Sequence, residues 1–477
     1  MISDCKGWSS KLPFVFMVQL ISLLVIGFVE FLNMTDSCLL PVNTHLFSNA
    51  GIALSILCFW GITLWKNPRS IGQLDVILGL VMVLWFLIVE GNRRINYIPL
   101  QSVTIFLLVY LIALPFAAVT QDQNRQTGIR LICGIYLAAA AFLLVLGLIL
   151  MVRGSFSGDL GSKVYWDGAR LLIIHHPNIV SRIFMIALSL CIGFTAYAKK
   201  IWAKILLLFA AAILFAAIAL TNTRAIIIVA CFILAGNVFI LFYNQKRKQV
   251  LLGAAAAMLA FVVLFMSYNW LFQWNTNRLI NRTSMEAAQE QTLMAEETDA
   301  DRADSSHQMI LPEETPLAAD PRGELQGNGN SYQESLLSDL PTMNGRADIW
   351  LGFRHKIRTN PAILLRGTVD TRLIWGNLHT HNAWLEALIM LGLPGLILVL
   401  FFSWEATWSS LRLLWHTGTD LFRKNIALLT LATLAAAMME PCLFITYTEW
   451  SFSDFFFFLC LGYLTLWNKQ IPRKKNT

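Results

Sequence analysis

Long apolar runs, separated by short polar clusters, recur along almost the whole chain. A run of about 18 or more apolar residues can cross roughly 30 Å of hydrocarbon as a helix. Twelve candidate spans follow, at 12–33, 47–65, 74–90, 98–118, 129–152, 178–198, 201–221, 225–243, 250–271, 383–403, 424–446 and 453–467. The longest polar interval, 272–382, lies between the ninth and the tenth. The chain therefore divides into 1–271 with nine helices, 272–382 as a large loop, and 383–477 with three helices and a basic tail. The expected fold class is an all-α integral membrane protein of about 12 transmembrane helices.

Composition narrows the class. Of the 477 residues 56% are hydrophobic and 14% charged, with mean hydropathy +0.60. Soluble domains carry about a quarter charged residues, so an ordinary soluble domain is excluded. The net charge of +7 resides largely in short loops and the tail, where topology accounts for it, and no nucleic-acid partner is expected. The eight cysteines include no CxxC pair, which argues against a disulfide framework or a zinc site. The first apolar segment shows no small-residue cleavage site that stands out and is expected to be a retained helix.

Lysine and arginine in short loops set the orientation. Lys66, Arg69, Arg125, Arg130, Lys199, Lys200, Lys204, Arg412, Arg423 and Lys424 fall on one side of a twelve-span plan, together with the tail. Both termini are expected on that side. The loops at 34–46, 91–97, 153–177, 272–382 and 447–452 are expected on the other. Arg93, Arg94, Lys163, Arg170 and Arg224 break the trend by lying outward. Each is either a solvated or snorkelling cation or part of a site for an anionic ligand.

The long interval has two parts. Residues 285–343 are rich in Glu, Asp, Ser, Pro, Gly and Gln, too polar to bury a core of their own, and are expected to form a mobile excursion. Residues 344–382 are expected to form an ordered amphipathic helix and catalytic segment; within them 344–358 carry apolar positions at 347, 350, 351, 353 and 357, approximating one face of a helix that Thr359-Asn360-Pro361 ends. Arg346 falls in its first turn, where a cation opposes the helix dipole unless a nearby anion offsets it.

The densest chemistry lies at Asn377-Leu-His-Thr-His-Asn-Ala-Trp-Leu-Glu386. His379 and His381 stand at the mouth of the tenth span, with Asn382 as its expected N-cap. Arginine forks bind phosphate oxygens without ever deprotonating, and histidine exchanges protons near neutrality. Arg224, Arg346 and His381, on one membrane face, suit transfer from a lipid-linked phosphate. The alternatives are a packing or turn role for the histidines, or a metal held by His379, His381, His175 and His176. That spacing matches no established zinc pattern. Glu440, followed by Pro441, is an intramembrane acid and so either functional or a partner for an arginine.

These residues resemble the O-antigen ligase family, within the superfamily that also holds O-antigen polymerases and O-linked oligosaccharyltransferases. The ligase signature is His followed by Asn, Ser or Gln, nine residues, then Gly-x-x-Gly or a variant. Here it reads His381-Asn382, nine residues, then Gly392-Leu-Pro-Gly395. Thr221-Asn-Thr-Arg224-Ala is similar to the family's first essential arginine element, and Asn344-Gly-Arg346 to the second. Trp166-Asp-Gly-Ala-Arg170 with His176-Pro-Asn178 resembles a further superfamily element, and Arg93 or Arg94 an outward cation. The resemblance runs in order over about 90–395; the acidic insert at 285–343 matches nothing in it.

The resemblance implies a GT-C type glycosyltransferase of the bacterial inner membrane, with its large loop and active site in the periplasm. The implied reaction moves O-antigen polysaccharide from undecaprenyl pyrophosphate to the lipid A–core, with inversion, no metal and no cofactor. His381 would be the catalytic base. Arg224 and Arg346 would bind the pyrophosphate, with Arg170, Arg93 or Arg94 and His379 in support, and Asn382, Gly392, Gly395 and Glu440 as structural supports. The polymerase and the protein oligosaccharyltransferase are rivals on the same motifs. A twelve-span transporter is a rival of another class, opposed by the absence of an evident two-half repeat.

Overall fold

The computed structural model describes residues 122–154, 165–166, 170–171, 177–221, 223–243, 346–367, 380–416, 418–439 and 452–470, with scattered helical positions between 255 and 270. The expected spans at 12–33, 47–65, 74–90 and 98–118, the insert 285–343, and Arg93, Arg94, His379 and Glu440 lie outside them. The elements are α1 (Asp122–Gly154), β1 (Tyr165–Trp166), β2 (Arg170–Leu171), α2 (Pro177–Thr195), α3 (Ile201–Leu220), α4 (Arg224–Tyr243), α5 (Arg346–Thr359), α6 (Ala362–Arg366), α7 (Ala383–Trp415), α8 (Leu421–Ala437) and α9 (Phe452–Gln470). The chain divides into two compact units, one of Met1–Phe272 with Lys356–Thr477, the other Gln273–His355.

Apart from a two-residue antiparallel ladder between β1 and β2, the described elements are helices. Among the described residues, four helical stretches are long and apolar enough to cross a membrane: Thr127–Gly147, Asn178–Thr195, Ile201–Leu220 and Gly392–Trp415. Arg224–Ile240 and Phe456–Asn468 are apolar but shorter. The apolar length of α7 is displaced from the expected 383–403, because the helix breaks at Gly392 and the apolar stretch follows the break. On α3, Trp202, Ile205, Leu206 and Phe209 face outward and are exposed. On α7, Ile397, Trp404, Trp408 and Trp415 do the same. Apolar faces of that extent are disfavoured in water and unstrained in hydrocarbon.

Packing between helices uses small and polar residues at close approach. On α2, Ser189 Oγ donates to Asn425 Oδ1 of α8 at 3.2 Å, and Asn425 Nδ2 donates back to the Ser189 carbonyl at 2.8 Å. Both residues are buried, so the exchange satisfies groups that hydrocarbon would leave without partners. Gly193, one turn along α2, leaves the room that the Asn425 amide occupies; a methyl there would collide with its Nδ2. The Phe194 and Phe422 rings close the same contact at 5.6 Å.

That contact makes α2 and α8 antiparallel and defines two ends of the bundle. At one end Arg130 of α1 stacks on the Tyr197 ring, 3.9 Å from its centroid. The Tyr197 hydroxyl donates to Asp420 Oδ1 at 3.4 Å, and Asp420 caps α8 by accepting from Arg423 N at 3.0 Å. Arg423 pairs with Asp420 at 3.0 Å and lies 5.1 Å from the Trp467 ring. Lys199, Lys200 and Lys424 belong to the same end, which is hereafter the basic end. From Ser189 back to Asn178, and from Asn425 on to Met438, the helices climb roughly 16–20 Å at ~1.5 Å per residue. Asn178 and Met438 therefore mark the opposite end.

Asn425→Ala removes both bonds to Ser189 and is expected to cost about 1–2 kcal/mol. The check is the thermal midpoint of the purified protein in detergent; a midpoint equal to wild type contradicts the assigned contact.

Candidate functional site

The end opposite the basic one is assembled from three short junctions. The first is the entry to α2, where Pro177 occupies the first helical position. Its missing N–H costs nothing there. The second is the turn from α3 to α4. Thr221 Oγ1 donates to the Ile218 carbonyl at 2.7 Å, ending α3, and the Thr223 carbonyl accepts from Ile227 N at 3.0 Å, starting α4. Thr223 Oγ1 then donates to Asn178 Oδ1 at 3.3 Å. The His-Pro-Asn element and the Thr-Arg element, distant in sequence, are thus tied to each other directly. Arg224, half-buried, is the first residue of α4 and leaves from this tie.

The third junction is Thr380-His381-Asn382. His381 is half-buried and adopts a left-handed backbone, φ +52°, an uncommon conformation for a non-glycine residue. Asn382 caps α7: its Oδ1 accepts from Leu385 N at 2.9 Å. Its Nδ2 donates to the Met438 carbonyl at 3.0 Å, just past the end of α8. One side chain therefore caps one helix and ties it to the end of another. Since α8 ends beside the entry of α2, His381 and Arg224 share one end of the bundle.

Glu386, one turn into α7, is fully buried. Its Oε2 accepts from Thr380 N at 2.9 Å and lies 2.7 Å from Thr380 Oγ1. That hydroxyl also lies 3.0 Å from the Asn382 carbonyl; its single proton serves one of the two at a time. Glu386 is thus bonded to the residue that immediately precedes His381.

Ten residues after Asn382, α7 breaks. Gly392 has φ +71° and ψ −171°, a region essentially reserved for glycine. Pro394 follows inside the helix and lacks the N–H that would bond four residues back. Into the notch comes the short helix α6: a methyl on Gly392 would lie 2.6 Å from the Leu365 carbonyl oxygen and 3.0 Å from Gly367 N. The glycine thus permits both the bend and a close backbone approach.

Other sequence candidates are placed separately. Arg170 lies in β2 opposite Trp166, with Tyr165 opposite Leu171. Arg346 is the first residue of α5 and belongs to the Gln273–His355 unit. The helix expected over 344–358 is observed as Arg346–Thr359. Arg354, His355 and Arg358 are exposed on it. Gly395 is buried within α7, three residues past the bend. Among the described residues no three His, Cys, Asp or Glu side chains come together as a metal cage.

Two residues escaped the sequence reading. Arg182 is buried one turn into α2 from Asn178. Its signal was an ionisable residue inside an apolar span. Glu386 carried the same signal, an acid placed where a membrane helix begins. Comparison with protein-family models, curated proteins and solved structures finds no match for this chain.

Gly392→Ala forces a side chain into a backbone region that costs about 1–3 kcal/mol and pushes the Leu365 carbonyl away. The expected result is a lower thermal midpoint and faster protease cleavage within residues 360–370. Unchanged protection of that segment would contradict the docking of α6 in the notch.

Proposed function

We propose that this protein is a membrane-embedded, inverting glycosyltransferase of the O-antigen ligase kind. It transfers a polysaccharide from undecaprenyl pyrophosphate to a sugar hydroxyl of the lipid A–core, without a metal, at the periplasmic face of the bacterial inner membrane. The proposed whole is a GT-C type bundle of twelve helices, with the basic end in the cytoplasm by the positive-inside rule. The observation that carries the reading is the signature His381-Asn382 … Gly392-Leu-Pro-Gly395. Its polar and glycine members have geometric duties: His381 in a strained turn, Asn382 as cap and tie, Gly392 as bend. The shared end of His381 and Arg224 supports the same reading.

In the proposed reaction the acceptor hydroxyl attacks the anomeric carbon while the bond to the pyrophosphate oxygen breaks. The electron pair departs with the pyrophosphate, and the hydroxyl proton passes to His381. Arg224 binds the charge that builds on the leaving group, where a fixed guanidinium acts most strongly. Arg346 is the proposed second phosphate ligand, with Arg170, Arg93 or Arg94 and His379 as further polar contacts to the donor. A polymerase would use the same donor with a second glycan repeat as acceptor.

The test is a purified reaction with undecaprenyl-pyrophosphate-linked glycan and lipid A–core, run with chelator. Product on lipid A–core is expected, and elongation from donor alone would mark a polymerase instead. His381→Ala is expected to lower turnover about 100-fold or more while donor binding persists. Arg224→Ala is expected to weaken donor binding as well. Full transfer by His381→Ala would overturn the mechanism.

A further inference from the structure

Glu386 does more than its position in α7 requires. The N-terminus of α7 is already capped by Asn382, whose Oδ1 takes the Leu385 N–H, and the Glu386 N–H already bonds the Asn382 carbonyl at 2.9 Å. An acid placed only to favour the helix dipole works from the surface. Glu386 is instead fully buried, where a carboxyl group is costly unless the fold uses it. Its Oε2 is spent on Thr380, by the N–H and by the hydroxyl. Its Oε1 is buried and accepts no hydrogen bond among the described residues. Thr380 and Asn382 flank His381 directly, so the carboxylate grips one side of the left-handed turn while the Met438 carbonyl holds the other.

We infer that Glu386 is a positioning residue for His381: it fixes the strained turn that aims the imidazole and offsets the positive charge His381 acquires on taking the acceptor proton. The inference rests on the proposed role of His381 as the base. In the step itself the acceptor oxygen bonds to the anomeric carbon, the carbon–pyrophosphate bond breaks and the proton ends on His381. Glu386 exchanges no proton; it remains an anion beside the new imidazolium. A carboxylate that orients a catalytic imidazole matters chiefly for turnover, because its effect grows as the imidazole becomes charged. A carboxylate that only staples the helix start affects stability and both kinetic constants together.

The experiment compares wild type, His381→Ala, Glu386→Gln, Thr380→Val and Thr380→Ser in the purified transfer reaction, recording kcat, KM for donor and acceptor, and the thermal midpoint. Glutamine keeps the shape and can still accept from Thr380, but loses the charge. Glu386→Gln is expected to lower kcat about 100-fold or more with both KM values within about two-fold of wild type. Thr380→Val is expected to lower kcat about ten-fold, and Thr380→Ser to recover most of that loss. Wild-type kcat in Glu386→Gln would overturn the inference. So would a loss of kcat accompanied by equal losses of donor affinity and midpoint. If His381→Ala transfers as fast as wild type, or wild type transfers nothing, the functional reading itself fails and the inference falls with it. A silent Glu386→Gln beside an inactive His381→Ala would sink the inference alone.

Discussion

The turn at His381 is the constraint on which the rest of this molecule depends. A histidine at φ +52° persists only when its surroundings hold it there, and three contacts do so. Glu386 reaches back to Thr380, Asn382 caps the helix it starts, and the same Asn382 reaches across to the Met438 carbonyl. The last contact makes the turn's position depend on where α8 ends. That in turn depends on the Ser189–Asn425 exchange, which sets α8 against α2. Since Asn178 near the start of α2 accepts from Thr223 beside Arg224, a chain of hydrogen bonds and packed helices joins the two ends of the proposed chemistry. The buried Ser189–Asn425 exchange has no competing water in hydrocarbon, so it fixes geometry more firmly than its modest net energy suggests.

The Gly392 bend is the second device. An unbroken α7 would carry Ala383–Trp415 as one rod of about 50 Å at ~1.5 Å per residue. The break lets the apolar stretch after Gly392 take its own direction while the turn before it remains tied to α8. It also opens the notch that the backbone of Leu365–Gly367 enters. The segment following α5 is thereby docked on the same helix that presents His381.

Much of this was legible in the sequence where the signal was periodic or stereochemical. Apolar runs of span length located α2, α3, α4 and α9 within a few residues, because length and apolarity favour a helix in a bilayer; α1 begins seven residues before its expected span, α7 runs twelve past its own and α8 ends nine short. The stop at Thr359-Asn360-Pro361 was legible because proline restricts the residue before it. The cap at Asn382 was legible from residue type. The bend at Gly392 was not: glycine and proline there read equally well as a motif or as ordinary features of a membrane helix. Glu386 was passed over for a different reason. Its partner, Thr380, lies six residues earlier across a turn whose left-handed backbone no periodicity reveals. The tie between Asn178 and Thr223 was invisible likewise, since it joins residues 45 apart.

In the proposed mechanism the pyrophosphate of a lipid-linked donor binds at the end of the bundle carrying His381 and Arg224. A cryo-electron microscopy map of the protein saturated with undecaprenyl-pyrophosphate-linked glycan tests it. The predicted result is diphosphate density against the Arg224 guanidinium, with the first sugar within reach of His381. Diphosphate density at the end carrying Arg130, Lys200 and Arg423 instead would contradict the account.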